Sequence, residues 1–128
     1  MARIVMFDAN PDSANLVRRL LERSGHAVWV IAEPELMTEV VRASVPAVVI
    51  LRVRAGNRKS EQLPQKIRRL THPPKIMTIS SKAPSSPEDL ADEHYLMEPV
   101  DLDTIERKVH QLLGACNRTD NVPPSTKQ

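Results

Sequence analysis

The sequence predicts an α/β fold: a parallel sheet with helices on both faces. Three observations carry this. Short runs rich in β-branched residues alternate with stretches of helical periodicity along most of the chain. The runs are continuously apolar, as strands covered on both sides require. The chain's 128 residues, 41% of them hydrophobic, suffice for one core and one domain.

Arg3 to Phe7 is the first strand run. Asn10, Pro11 and Asp12 punctuate it, and a helix follows with Leu16, Val17, Leu20 and Leu21 on one face and Gly25 as its stop. Ala27 to Ala32 is a second buried strand, and Glu33 to Ser44 a helix with Leu36, Val40 and Val41 at helical spacing. Ala47 to Val53 is the most β-branched stretch and takes the centre of the sheet. A basic loop, Arg54 to Ser60, leads to a helix that starts near Pro64 and buries Ile67 and Leu70. Lys75 to Ile79 is the fourth strand.

A Ser/Pro-rich loop then reaches Ser86-Pro87-Glu88-Asp89, which reads as a capped helix start. That fourth helix is shortened, because Tyr95 to Met97 already forms the fifth strand. Asp101 caps a last helix with Leu102, Ile105, Val109 and Leu112 inside and Gly114 after it. The domain is expected over residues 1–116, with 117–128 a disordered tail or the start of a linker. The whole is a flavodoxin-like (βα)5 arrangement, a doubly wound five-stranded parallel sheet whose sites form at the C-terminal strand ends.

Composition narrows the function. Aromatic residues are 2% of the chain (Phe7, Trp29 and Tyr95), too few for the stacking platforms of single-strand nucleic-acid binders. The formal charge is +2, so partner preference rests on charge distribution. Cys116 is alone, which excludes a disulfide framework or a cysteine-based metal site. His26, His72, His94 and His110 show no ligand spacing. No apolar run approaches the roughly 20 residues that span a bilayer, and the N-terminus enters a strand directly; a cytoplasmic protein without membrane contact is expected.

Three strings resemble response-regulator receiver domains of the CheY-like type. Arg3-Ile4-Val5-Met6-Phe7-Asp8-Ala9-Asn10-Pro11-Asp12 resembles their opening strand and acidic turn. Leu20-Leu21-Glu22-Arg23-Ser24-Gly25-His26 resembles the end of their first helix, and Tyr95-Leu96-Met97-Glu98-Pro99-Val100-Asp101 their fifth strand and the turn after it. The resemblance spans roughly residues 2 to 114 and implies a phosphorylation site of two adjacent acids, an acceptor Asp, a hydroxyl and a Lys. On this sequence those positions fall on Asp8 and Ala9, Arg52, Ser80 and Glu98. Three of the five residue types differ, so the resemblance is to a degenerate, pseudo-receiver variant.

The differences remove the family's chemistry. Mg²⁺ needs oxygen ligands, and a guanidinium is neither acceptor nor nucleophile. The family's Asp–Lys pair becomes Arg52 with Glu98, signs reversed, and Arg52 is expected to bridge Glu98 and Asp8 without metal or other cofactor. Each residue also has a plainer reading. Asp8 is then a turn or capping residue, Arg52 a strand-end side chain snorkelling to solvent, and Ser80 a hydroxyl bonding local backbone. Tyr95 falls at the family's switch aromatic and otherwise reads as half-buried surface. Pro99 is expected to follow a cis bond, as in the family.

The expected function is a non-enzymatic protein-interaction or regulatory module of two-component-type signalling. Its partner would be a kinase, an output domain, another regulator or a second copy of itself. The altered face of the fourth helix, fifth strand and last helix is the expected surface. The alternative is nucleic-acid or acidic-partner binding through a basic cluster at Arg52, Arg54, Arg58, Lys59, Lys66, Arg68, Arg69 and Lys75, where Glu61 is the only intervening acid. Such runs also occur as plain solvated helix faces. A third class, unusual phosphorylation on Ser80 or Asp8, is the one a phosphodonor assay addresses.

Overall fold

The computed structural model describes residues 2–84 and 94–118, with side chains through 114. The strands are β1 (Arg3–Phe7), β2 (Ala27–Ile31), β3 (Val48–Val53), β4 (Lys75–Ser80) and β5 (Tyr95–Met97). The described helices are α1 (Pro11–Arg23), α2 (Pro34–Ser44), α3 (Arg58–Glu61), α4 (Leu63–Arg68) and α5 (Leu102–Arg118). All strand pairs are parallel, in the order β2-β1-β3-β4-β5, so β3 is central as its composition predicts. The short helix expected from Ser86 and the tail expected beyond residue 118 lie outside the described residues.

Strand alternation builds two cores. Ile4, Met6, Val48, Ile50, Met77 and Ile79 face one side and pack with Val17 and Leu21 of α1 and Ile105, Val109 and Leu112 of α5. Val5, Phe7, Val49, Leu51 and Val53 face the other, against Met37 and Val41 of α2 and Leu63 and Ile67 of α4.

Several expectations need correction. β2 pairs with β1 alone, so it is an edge strand, and Trp29 is 46% exposed instead of buried. Leu16, Leu36 and Leu102, expected inside, are largely exposed; Ala14 and Met37 take the inner positions on α1 and α2. The stretch from Arg54 to Ser60 is not all loop: Asn57 Oδ1 accepts from Ser60 N at 3.1 Å and caps a helical turn from Arg58. Gly114 does not end α5, which continues to Arg118. Gly25, at φ 95°, does follow the end of α1.

Helix starts follow their cap residues. Asn10 Oδ1 accepts from the Asp12 and Ser13 amides, and Asp101 Oδ1 accepts from the Thr104 amide at 2.7 Å. Hydrogen bonds from Thr104 hold the Asp101 carboxyl below its ordinary value.

A contact with no spacing signal in the sequence ties β2 to α5. Ala2 N donates to His26 Nδ1 at 3.3 Å, which leaves the neutral ring's proton on Nε2, 3.3 Å from His110 Nε2. The two rings meet edge to face with centroids 5.4 Å apart, and Ser24 Oγ donates to Glu106 Oε2 beside them at 2.7 Å. Burial, then repulsion from His110 and the N-terminus, lowers the His26 pKa below 6.5, against a smaller opposing pull from Glu106. The unfolded chain therefore takes up this proton first as pH falls. The stabilisation is complete above the unfolded value and is lost as pH drops through the folded one. The melting temperature of the wild type should fall on acidification below about pH 6.5. His26→Asn should flatten that part of the profile, and parallel profiles for the two proteins would rule the pair out as the cause.

Candidate functional site

The same alternation that builds the first core assembles a polar cluster at the C-terminal ends of the strands. Asp8 continues the Ile4–Met6 row, Arg52 the Val48–Ile50 row, and Glu98 stands two residues past Leu96; all three rows face α1 and α5. The β1–β3 register, with Phe7 opposite Leu51, brings Asp8 and Arg52 side by side. Glu98 is brought in by its amide, which donates to Ser80 O at 2.8 Å, and the Glu98–Pro99 peptide is cis.

Arg52 lies between the two acids. Its Nε donates to Asp8 Oδ2 at 2.9 Å and its Nη1 to Glu98 Oε2. Asp8 has further donors: Ser13 Oγ reaches Oδ2 at 2.5 Å and the Asn10 amide reaches Oδ1 at 2.9 Å. The Asp8 side chain is 3% exposed, Arg52 19% and Glu98 34%, so the Asp8 arm is the one that cannot fall back on water. The turn-residue reading of Asp8 is therefore incomplete, and Arg52 does not snorkel away to solvent.

Ser13 and Asn10 belong to this cluster although the sequence did not single them out as site residues. Their position in the first turn and cap of α1, immediately after an acid-ended strand, was the available signal. Ala9, exposed, adds no polar side chain. Ser80 is 1% exposed, and its Oγ accepts from the Lys82 amide at 3.1 Å, the local-backbone role. Tyr95 is half-buried, and its hydroxyl donates to Lys82 O at 2.6 Å.

These residues do not fit Mg²⁺. That ion wants near-octahedral oxygen ligands, usually including one or two carboxylates. Here both Asp8 oxygens accept from the chain's own donors, and a guanidinium stands between the carboxylates. Among the described residues no group of three or more His, Cys, Asp or Glu side chains could hold a metal ion. Beside Arg52 a groove of about 550 Å³ opens between α1 and α5, walled by Leu16, Val100 and Leu102.

The basic residues do not gather into one patch. Arg54, Arg58 and Lys59 follow β3 at the Arg52 end of the sheet, whereas Arg69 and Lys75 end α4 and begin β4 at the opposite end, with Lys66 and Arg68 on α4 between. Lys59 Nζ pairs with Glu35 at 2.6 Å and holds that carboxyl below its ordinary value. Lys82 approaches Glu61 at 3.9 Å, and Arg68 has interactions of its own. The result is a band along the domain, partly neutralised.

Substitutions should rank by burial. Asp8→Asn, which leaves Arg52 short of its buried counter-charge, should cost about 3 kcal/mol. Glu98→Gln, at the half-exposed arm, should cost about 1 kcal/mol. Denaturant unfolding of both variants measures this, and a Glu98→Gln midpoint identical to wild type would mean the outer arm contributes nothing.

No family profile matches the chain, and no curated protein matches it in sequence. Solved structures do match in shape. The signal receiver domain of a protein described as a Luxo repressor, from Vibrio parahaemolyticus, superposes with a TM-score of 0.77 at 16% identity, covering 96% of this chain and 98% of that one. A chain from the complex of histidine kinase ThkA with response regulator TrrA gives 0.75 at 21% identity, covering 88% and 99%. The pseudo-receiver domain of the CikA protein gives 0.66 at 18% identity, covering 98% and 100%. At these identities the likeness is one of fold: the chain has the architecture of response-regulator receiver domains, pseudo-receivers among them.

Proposed function

We propose that this chain is an atypical receiver domain that is not phosphorylated by the usual aspartate chemistry and acts as a protein-interaction or regulatory module in two-component-type signalling. The observation that carries the reading is Arg52. The resemblance puts the phosphoacceptor there, and its guanidinium is bound by Asp8 and Glu98. Phosphoryl transfer to a receiver needs an attacking oxygen, and a neighbouring cation to neutralise charge on the phosphoryl group. Arg52 offers no oxygen and no lone pair. Asp8 has its oxygens engaged, and Ser80 is buried in a local turn.

What remains useful is surface. Leu16, 55% exposed, and Leu102 flank the groove beside Arg52, and Met97 is half-exposed on β5. Apolar side chains that a fold leaves in the open next to a fixed polar cluster suit a protein partner. That one structural neighbour comes from a kinase–regulator complex supports a partner of the same kind, a signalling protein, over a small molecule here. No described helix is long and apolar enough to cross a membrane. The basic band supports nucleic-acid binding less well, because it is stretched between opposite ends of the sheet and Lys59 is paired.

Incubation of the wild type with a small acyl phosphate and Mg²⁺ should add no phosphoryl mass. The combined variant Ala9→Asp, Arg52→Asp, Glu98→Lys, which restores the family's residue types, should gain one. A phosphorylated wild type would sink the reading. Capture from lysate at low and high salt, with and without nuclease, tests the partner. A salt-resistant, nuclease-insensitive protein supports the module, while nucleic acid that washes off at high salt favours the basic band.

A further inference from the structure

A second cavity lies at the edge of the sheet opposite Arg52. It opens between the C-terminal end of α2 and the segment that joins α4 to β4, with a volume of about 350 Å³. Its floor is apolar: Val41 is 3% exposed, Pro46 is buried, and Leu70 and Pro74 are half-buried. Arg42 and Arg69, both exposed, make its rim cationic, and His72 is exposed beside them. Among the described residues no acidic side chain lines it. Among the described residues none of these three side chains forms an ion pair or a side-chain hydrogen bond.

Arg42 and Arg69 sit at helix C-termini, where a cation is favoured by the helix dipole alone. That accounts for their charge but not for their both lining one apolar hollow. Val45 supplies an independent observation. It follows α2 with φ 47° and ψ 63°, the left-handed region, where a glycine would be relaxed and a β-branched residue is strained. This strained residue puts a valine side chain, 71% exposed, on the cavity wall. Backbone strain of this kind concentrates at ligand-binding positions.

We propose that this cavity binds a small organic acid, an anionic head on a compact apolar body. The head lies between the Arg42 and Arg69 guanidinium groups, whose planar donor forks match a carboxylate. The body lies on Val41, Pro46 and Leu70 under Val45. The volume is at the lower end of the range for small-molecule sites, roughly 300–1,000 Å³, which suits a medium-chain alkanoate. Because the cavity is at the far edge from Arg52, this site stands or falls separately from the signalling reading.

The test is a titration of the whole chain with octanoate, with octanol, octylammonium and acetate as controls, followed by amide NMR shifts. Octanoate should saturate, with the largest shifts confined to residues 41–46 and 69–74. Octanol, which lacks the charge, and acetate, which lacks the body, should each bind at least about tenfold more weakly, and octylammonium not at all. Arg42→Gln with Arg69→Gln should weaken octanoate about tenfold or more at unchanged circular dichroism, since both side chains are exposed. Shifts scattered over the chain, equal binding of octanol, or octanoate binding indifferent to the two arginines would each overturn the proposal.

Discussion

Asp8 is a carboxylate at the end of a buried strand, 3% exposed, and the C-terminal edge of the sheet is organised around meeting its charge. A buried ion without partners costs several kcal/mol, so some cation and some hydrogen-bond donors must stand beside it. Arg52 supplies the cation from β3, Ser13 and Asn10 supply donors from the start of α1, and Glu98 takes the part of the guanidinium that Asp8 leaves unsatisfied. One charge thereby ties together β1, β3, the α1 N-terminus and the turn after β5. The cluster needs no unusual backbone beyond the turn at Pro99, because strand alternation already points Asp8, Arg52 and Glu98 at the same face.

The two ends of the sheet then differ in kind. At the Arg52 end the charges of the cluster are paired within the chain, and the apolar side chains stand outside it, at Leu16 and Leu102. At the other end the arrangement is inverted: apolar groups line the hollow, and among the described residues the guanidiniums of Arg42 and Arg69 meet no acid. A guanidinium already held between two carboxylates gains little from a charged ligand, whereas cations over an apolar floor gain from an anionic one. The fold thus separates a self-satisfied cluster at one end of the sheet from an unsatisfied hollow at the other.

Most of the fold was legible because it depends on local rules. The β-branched run from Ala47 placed β3 at the centre, Asn10-Pro11 marked the start of α1, and Gly25 followed its end. The Arg52 cluster was legible only jointly, through a resemblance that aligned strands far apart in sequence and then through charge complementarity. What stayed hidden needed the third dimension. Periodicity makes Leu16, Leu36 and Leu102 look internal, but a helix face is wider than the stripe that touches the sheet, and Ala14 and Met37 fill that stripe. Gly114 looked like a stop because glycine is common just past helices, yet it has no positive φ here and the helix continues. His26 and His110 are 84 residues apart, and nothing local pairs them.

The sign reversal between Arg52 and Glu98 argues for a site with a single state. If Arg52 stood opposite a lysine, two cations would share the site; if Glu98 stood beside an acceptor aspartate and Asp8, three carboxylates would. Either single exchange leaves like charges side by side, which is costly, while the double exchange puts one cation between two carboxylates. The two residues therefore have to be read as one unit. A site that carries information must have two arrangements of comparable free energy, biased by an added group or ion. On the reading proposed above, the cation is covalently part of the chain and the anions are already on it, so neither phosphoryl group nor metal supplies the bias. On the proposed reading, regulation has to enter through what docks on the surface, and the Arg52 cluster serves to keep that surface in one shape.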